Sequence, residues 1–192
     1  GKYMIVLASA SPRRKELLER AGFEFISVPA QTEEIVPEKI AVEDMPEYLA
    51  VKKAEAVLQD YPNDIILSAD TMVELDGVIY GKPGDERSAF HMLRQLSGKT
   101  HHVYTGVCIL ANGEKESFTT CTKVEFYWLT DEEIWDYIHT GEPMDKAGAY
   151  GIQGRGAVLV KRIQGDFYTV MGLPIGEVSR RLRKLIKPSN EK

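Results

Sequence analysis

Apolar and polar positions along the chain alternate between two periods. Residues 4–8, Met4-Ile5-Val6-Leu7-Ala8, form a continuous apolar run of the kind a buried strand uses. The run breaks at Ser9-Ala10-Ser11-Pro12 into a helical pattern with Leu17, Leu18 and Ala21 on one side. Ser11 is suited to cap that helix and Pro12 to be its first residue. Residues 23–28 alternate as a half-buried strand does, and Thr32-Glu33-Glu34 follows in a loop. Residues 46–58 return to the helical period, with Tyr48, Leu49, Val51, Ala54, Val57 and Leu58 as apolar positions, until Pro62-Asn63.

Ile65-Ile66-Leu67-Ser68-Ala69 is a second buried strand, expected to end at Asp70-Thr71. Residues 72–75 and 78–80 flank Asp76-Gly77, a strong hairpin signal. A helix is predicted over 87–96, closed by Ser97-Gly98, and two long strands over 103–110 and 115–129 join through Asn112-Gly113. Thr130-Asp131-Glu132-Glu133 is a capping box opening a short helix that ends near Gly141. A glycine-dense loop covers 142–156. Residues 158–163 and 167–170 are expected to pair as strands, and 175–186 to close the chain as a helix. The polar tail 187–192 is expected to fray. These elements predict an α/β protein with a mixed sheet and flanking helices. No linker, repeat or low-complexity tract divides the chain, so residues 1–192 read as one domain or as two intimately joined lobes.

Composition narrows the function. At 43% hydrophobic and 28% charged residues the chain is an ordinary globular protein. Its net charge of −5 argues against general binding to nucleic acid or anionic membranes, so any phosphate site must be a local basic pocket. Cys108 and Cys121 could not form a disulfide framework, and both fall in strand-like stretches where a buried thiol is expected. No apolar stretch approaches the roughly 20 residues needed to span a bilayer, and no signal-peptide pattern is present. A reducing cytoplasm is the expected compartment.

Candidate chemistry begins with Arg13 and Arg14. They fall in the first turn of their helix, at the positive end of its dipole, where a cation costs roughly 0.3–1 kcal/mol. Free amides, hydroxyls and two guanidinium groups there suit a polyanion. Asp70, directly after five buried positions, could coordinate a divalent metal or take a proton from water. Glu33 or Glu34 could complete a carboxylate metal site. Lys82, held between Gly81 and Pro83, could serve as a point charge for phosphate, whereas Lys53 reads by pattern alone as a surface residue on the second helix's polar margin. In Asp145-Lys146-Ala147-Gly148-Ala149-Tyr150-Gly151-Ile152-Gln153-Gly154, small residues permit close backbone approach and the Gln153 amide can read a base edge. There is no Gly-x4-Gly-Lys-Ser/Thr loop, dinucleotide fingerprint or nucleophile elbow, and the four histidines lack zinc-ligand spacing. Trp128 and Trp135 read as packing residues.

Five segments together closely resemble one family. Ser9-Ala10-Ser11-Pro12-Arg13-Arg14, Ala69-Asp70-Thr71, Gly81-Lys82-Pro83, the 145–154 loop and Gly172-Leu173-Pro174 occur in the order found in the Maf family, also called septum formation proteins. The resemblance runs from Met4 to Ile186 without large insertions. It implies a nucleoside triphosphate pyrophosphatase that cleaves between the α and β phosphates, releasing a monophosphate and pyrophosphate. It also implies a divalent cation (Mg2+ or Mn2+), frequent homodimers, and a two-lobed fold like that of inosine triphosphate pyrophosphatases, with a long central mixed sheet and a cleft. By position Asp70 matches the family's proton acceptor, and Ser9, Arg14, Glu33, Lys53 and Lys82 match polar residues lining the cleft. Glu33 and Asp70 are thereby the expected metal ligands, and Lys53 leaves the surface class. At Arg13, Thr71 and Gln153 the chain resembles the subgroup acting on dTTP and UTP. The subgroup acting on 7-methyl-GTP tends to carry an aromatic residue, Gln and Glu there. Gln153 can both donate to and accept from a pyrimidine's imide edge, whereas Glu suits guanine's donor-rich edge. The implied partner is a nucleoside triphosphate, with no nucleic acid or membrane. The alternative is a non-catalytic, nucleotide-binding regulator of septum formation, which the intact Asp70, Lys82 and Glu33 disfavour.

Overall fold

A computed structural model describes residues 3–186; the expected frayed tail, 187–192, lies outside the described residues. The chain divides into two compact units, Gly1–Asp70 with Thr105–Thr120 and Gly172–Lys192, and Thr71–Tyr104 with Cys121–Met171. One mixed sheet has the strand order β2 (Phe25–Ser27), β1 (Ile5–Leu7), β3 (Ile65–Leu75), β5 (Thr100–Ala111), β6 (Glu114–Phe126), β7 (Val160–Gln164), with β4 (Val78–Tyr80) paired to β3.

In the first unit β1 (Ile5–Leu7) is wholly buried and lies parallel to both neighbours, with Ile5 opposite Phe25 of β2 (Phe25–Ser27) and Ile65 of β3 (Ile65–Leu75). Parallel neighbours need crossovers, supplied by α1 (Pro12–Arg20) and α2 (Met45–Leu58). The long strands β5 (Thr100–Ala111) and β6 (Glu114–Phe126), of which residues 105–111 and 114–120 belong to this unit, meet at Asn112 and Gly113, whose φ values of 55° and 76° are those a tight hairpin demands. Val6, Ala8, Ala50, Ala54, Val57, Ile66, Cys108 and Leu110 form one apolar cluster. Full burial of each of the larger aliphatic side chains, Val6, Val57, Ile66 and Leu110, contributes roughly 1.5–3 kcal/mol. Small residues let α2 sit close: a Cβ at Gly106 would overlap the backbone of Pro46 and Glu47. The hydroxyl of Ser68 donates to the carbonyl of Ala50. Helix α6 (Ile175–Ile186) buries Val178 and Leu182.

In the second unit the rest of β3 pairs with β4 (Val78–Tyr80) through Asp76 and Gly77, at φ 51° and 82°. Helix α3 (Glu86–Leu96) is capped by Asp85, which accepts from the Ser88 amide at 2.7 Å. The expected capping box opens α4 (Asp131–Ile138), and Phe90 of α3 stacks on Trp135 of α4 at 4.8 Å. The loop after α4 winds through 3-10 turns over Glu142–Asp145, Ala147–Ala149 and Arg155–Leu159. Strand β7 (Val160–Gln164) runs antiparallel to β6, with an irregularity at Glu125/Phe126.

Four expectations change. Asp70 is not at a strand end; β3 continues to Leu75 because Val73, Glu74 and Leu75 pair with β4. Residues 167–170 are helical, within α5 (Phe167–Met171), because Asp166 accepts from the Thr169 amide at 2.7 Å and from its hydroxyl at 2.8 Å, a helix cap. Cys121 is exposed, because it takes the outward position of β6 while Thr122 and Val124 point in. Trp128 is 71% exposed rather than packed, with the guanidinium of Arg94 at 5.4 Å from its ring. Among the described residues no helix is long and apolar enough to cross a membrane.

Candidate active site

The first strand–helix turn is built by hydroxyls. Ser11 Oγ accepts from the Arg14 amide at 3.4 Å, Ser9 Oγ accepts from the Ser11 amide at 3.1 Å, and Ser27 Oγ donates to the Ser9 carbonyl at 2.5 Å. These bonds fix the turn that puts Arg13 and Arg14 at the start of α1, whose first turn carries no acidic side chain of its own. Arg14 Nε also donates to the Gly172 carbonyl at 2.7 Å, so the guanidinium is oriented from a distant segment. Burial pushes the Arg14 pKa down to about 10, with Asp70 and Glu34 opposing and Arg13 reinforcing. It stays charged at neutral pH. Cations kept at the wrong end of a helix dipole, one of them desolvated, suit an anion better than they suit the fold.

Asp70 faces this charge from β3. Its carboxylate, with a side chain 14% exposed, accepts from Lys53 Nζ at 2.7 Å, and the same ammonium lies 3.3 Å from Glu34 Oε1. Burial raises the Asp70 pKa above the ordinary carboxylate range, Glu34 adds to this, and Lys53 and Arg14 oppose it. Burial prevails, so the carboxylate holds a proton more tightly than a free aspartate. Lys53 is no surface residue. It sits on the helix margin that the pattern placed in solvent, but Asp70, seventeen positions away in sequence, covers it. Of the two loop glutamates, Glu34 reaches Lys53; Glu33 is exposed.

The other candidates lie in the second unit. Lys82 is exposed beside Gly81, whose carbonyl accepts from the Gly148 amide at 3.1 Å. Thr71 is half-buried in β3. Gln153 is exposed in a turn closed by the Gly154 amide on the Gly151 carbonyl at 3.3 Å. Two polar pairs that the pattern did not reveal support this loop. Tyr137 OH donates to Glu142 Oε2 at 2.5 Å, and Tyr150 OH lies 2.6 Å from His101 Nε2. Burial lowers the His101 pKa to about 3, so the ring is neutral. Burial opposes charge at Glu142, yet bonds from Tyr137, Arg155 and Gly156, with Lys146 nearby, hold its carboxyl below the usual range. The only hint in the sequence was a glutamate followed by closely spaced glycines.

The fold is thus a mixed α/β one with two arginines at its first strand–helix turn and, on its third strand, a buried carboxylate paired with a lysine of α2. The signature of the family described as Maf-like protein matches residues 4–185, and the chain belongs to the Maf family. A dTTP/UTP pyrophosphatase of Geobacillus sp. (strain WCH70) is 50% identical over 181 residues, covering 94% of this chain and 97% of that protein. A protein of the same description from Acholeplasma laidlawii (strain PG-8A) is 50% identical over 184 residues, covering 94% and 95%. The fold is similar to that of the Staphylococcus aureus Ham1 protein, with a TM-score of 0.55 at 14% identity over 95% of this chain and 99% of that one.

Proposed function

We propose that the protein hydrolyses dTTP and UTP to the nucleoside monophosphate and pyrophosphate. The observation that carries this reading is the Asp70–Lys53 contact at 2.7 Å beside a desolvated Arg14. Half-identical relatives described as dTTP/UTP pyrophosphatases support it. Water attacks the α phosphorus, the bond to the bridging oxygen breaks, and pyrophosphate departs with its electron pair. Asp70 takes the water's proton, and its raised pKa makes it a better acceptor than an ordinary carboxylate. Lys53 orients that carboxylate. Arg14 and Lys82 neutralise charge on the phosphates as the leaving group forms. Ser9 shapes the turn that presents the arginines, while Arg13, Thr71 and Gln153 select the base.

The donor set fits a hard divalent cation, Mg2+ or Mn2+. Asp70 and the Glu33-Glu34 pair offer carboxylate oxygens, and the Lys53 ammonium between Asp70 and Glu34 marks a place where positive charge is already favoured. Among the described residues no three His, Cys, Asp or Glu side chains are grouped to hold an ion, so an ion held by Asp70 and Glu33 would need further ligands from outside the chain. When bound, the ion would supply charge neutralisation and lower the pKa of water. The net charge of −5 favours free nucleotides over nucleic acid as substrate. Two cysteines without a disulfide framework favour a cytoplasmic enzyme, and family resemblance favours a homodimer.

Pyrophosphate release from dTTP, UTP, dGTP and 7-methyl-GTP, with and without a chelator, tests this reading. The expected result is turnover of dTTP and UTP above both purine nucleotides, abolished by chelation. Equal or better turnover of 7-methyl-GTP would contradict the base assignment, and activity unchanged by chelation would remove the metal. Nucleotide binding without turnover would instead support a regulator of septum formation.

A further inference from the structure

The loop that carries Gln153 is folded around a single carboxylate. Glu142 Oε2 accepts from Tyr137 OH at 2.5 Å and from the Gly156 amide at 3.0 Å, while Oε1 accepts from the Arg155 amide at 2.9 Å. Tyr137 OH in turn accepts from the Gly151 amide at 2.9 Å. The backbone is therefore tied on both sides of Gln153, at Gly151 and at Arg155-Gly156, to one carboxylate–phenol pair. The outer end of that pair is anchored as well, because Lys146 Nζ donates to the Glu142 carbonyl at 2.8 Å.

The glycines show how tightly the loop closes on this pair. A Cβ at Gly154 would overlap Glu142 Oε1, and one at Gly156 would lie 2.5 Å from the Gly151 carbonyl oxygen and 2.8 Å from Tyr137 OH. One at Gly151 would lie 2.6 Å from Lys146 Cε. At Gly151, Gly154 and Gly156 the lack of a side chain is thus accounted for by the approach of Lys146, Glu142, Tyr137 and the Gly151 carbonyl.

We infer that Glu142 and Tyr137 are positioning residues for substrate selection: they hold the Gly151–Gly156 backbone in the one conformation that presents Gln153 to the base. The inference rests on the reading of Gln153 as the base-selecting residue. It assigns neither residue a contact with the nucleotide. Loosening the loop lets the Gln153 amide miss its partners, and a misplacement of about 1 Å can cost about 10²-fold where geometry decides the outcome.

The experiment compares Tyr137→Phe, Glu142→Gln, Gln153→Ala and the Tyr137→Phe/Gln153→Ala double variant. Each is assayed for kcat/KM on dTTP and on dGTP, and for amide hydrogen exchange across 151–156. Phenylalanine keeps the buried ring and glutamine keeps the side-chain shape, so thermal midpoints should fall by only about 2–6 °C. The expected result is a loss of at least about tenfold in the dTTP/dGTP ratio for Tyr137→Phe and Glu142→Gln. Exchange at Gly151 and Gly156 should quicken, and the double variant should be no less selective than Gln153→Ala alone. If Gln153→Ala loses selectivity while Tyr137→Phe and Glu142→Gln keep it, the positioning role is overturned and the base reading stands. If Gln153→Ala itself leaves the ratio unchanged, the base-reading role falls and this inference with it. An effect of Tyr137→Phe that simply adds to that of Gln153→Ala also overturns the inference, because the two would then act independently.

Discussion

The two compact units stabilise buried charge by different means. In the first, Lys53 reaches Asp70 and the largely exposed Glu34 from a separate segment, and burial still displaces the proton affinities of Asp70 and Arg14. In the second, Glu142 is satisfied by two backbone amides and a phenol, which keep it ionised. A carboxylate held by backbone donors is fixed in place and keeps its charge to lower pH than a free one. One held against a lysine in a desolvated strand remains open to proton chemistry. Under the function proposed above, reaction belongs to the first unit's cluster and selection to the second unit's loop.

The contrast breaks most readily at Asp70. Asp70→Asn should lose at least roughly 10²-fold in kcat, as loss of a positioned base or metal ligand does. Because folding raises this pKa, ionising Asp70 costs stability as pH rises through its folded value, so the neutral variant should unfold at close to the wild-type temperature at pH 7. Circular dichroism melting beside steady-state kinetics checks both halves. Near-wild-type turnover would remove Asp70 from the chemistry.

A comparable energetic effect without chemistry is expected at Gly106. Gly106→Ala forces a Cβ into the Pro46-Glu47 backbone and should cost about 1–3 kcal/mol, read as a lower midpoint in urea unfolding. Lys53→Met should be milder in turnover, about tenfold, and more informative in its pH profile. Activity requires ionised Asp70, so it falls as pH drops through that group's pKa. Removing Lys53 removes the strongest influence holding that pKa down, so the acidic limb should move to higher pH. An unmoved limb would dissociate Lys53 from Asp70's proton. The smallest contrast is between the thiols: Cys108→Ser, in the apolar cluster, should cost about 1–3 kcal/mol, and exposed Cys121→Ser no more than about 0.5 kcal/mol, both by urea unfolding.

Local signals were legible in the sequence, and distant partnerships were not. Ser11 and Pro12 at the start of α1, Asp76-Gly77 and Asn112-Gly113 in hairpins, and the Thr130–Glu133 capping box each act within four residues, so their chemistry is written where it operates. Lys53 depends on a carboxylate seventeen residues away, and helical periodicity says only that it lies at the margin of an apolar face. Asp70 looked like a strand end because polar residues interrupt the apolar run, and only pairing with β4 carries β3 onward. Residues 167–170 have strand-like side chains, yet the Asp166 cap made them helical. Glu142 was hidden for the opposite reason, since its partners are mostly backbone amides that leave no side-chain signature beyond three glycines.

Hydrolysis of dTTP in 18O-labelled water tests the central claim most directly, because it reports which phosphorus the activated water attacks. Attack at the α phosphorus puts one labelled oxygen in the thymidine monophosphate and none in the pyrophosphate, and Asp70→Asn should slow that incorporation by at least roughly 10²-fold. Label in the pyrophosphate, or release of orthophosphate with thymidine diphosphate, would contradict the account.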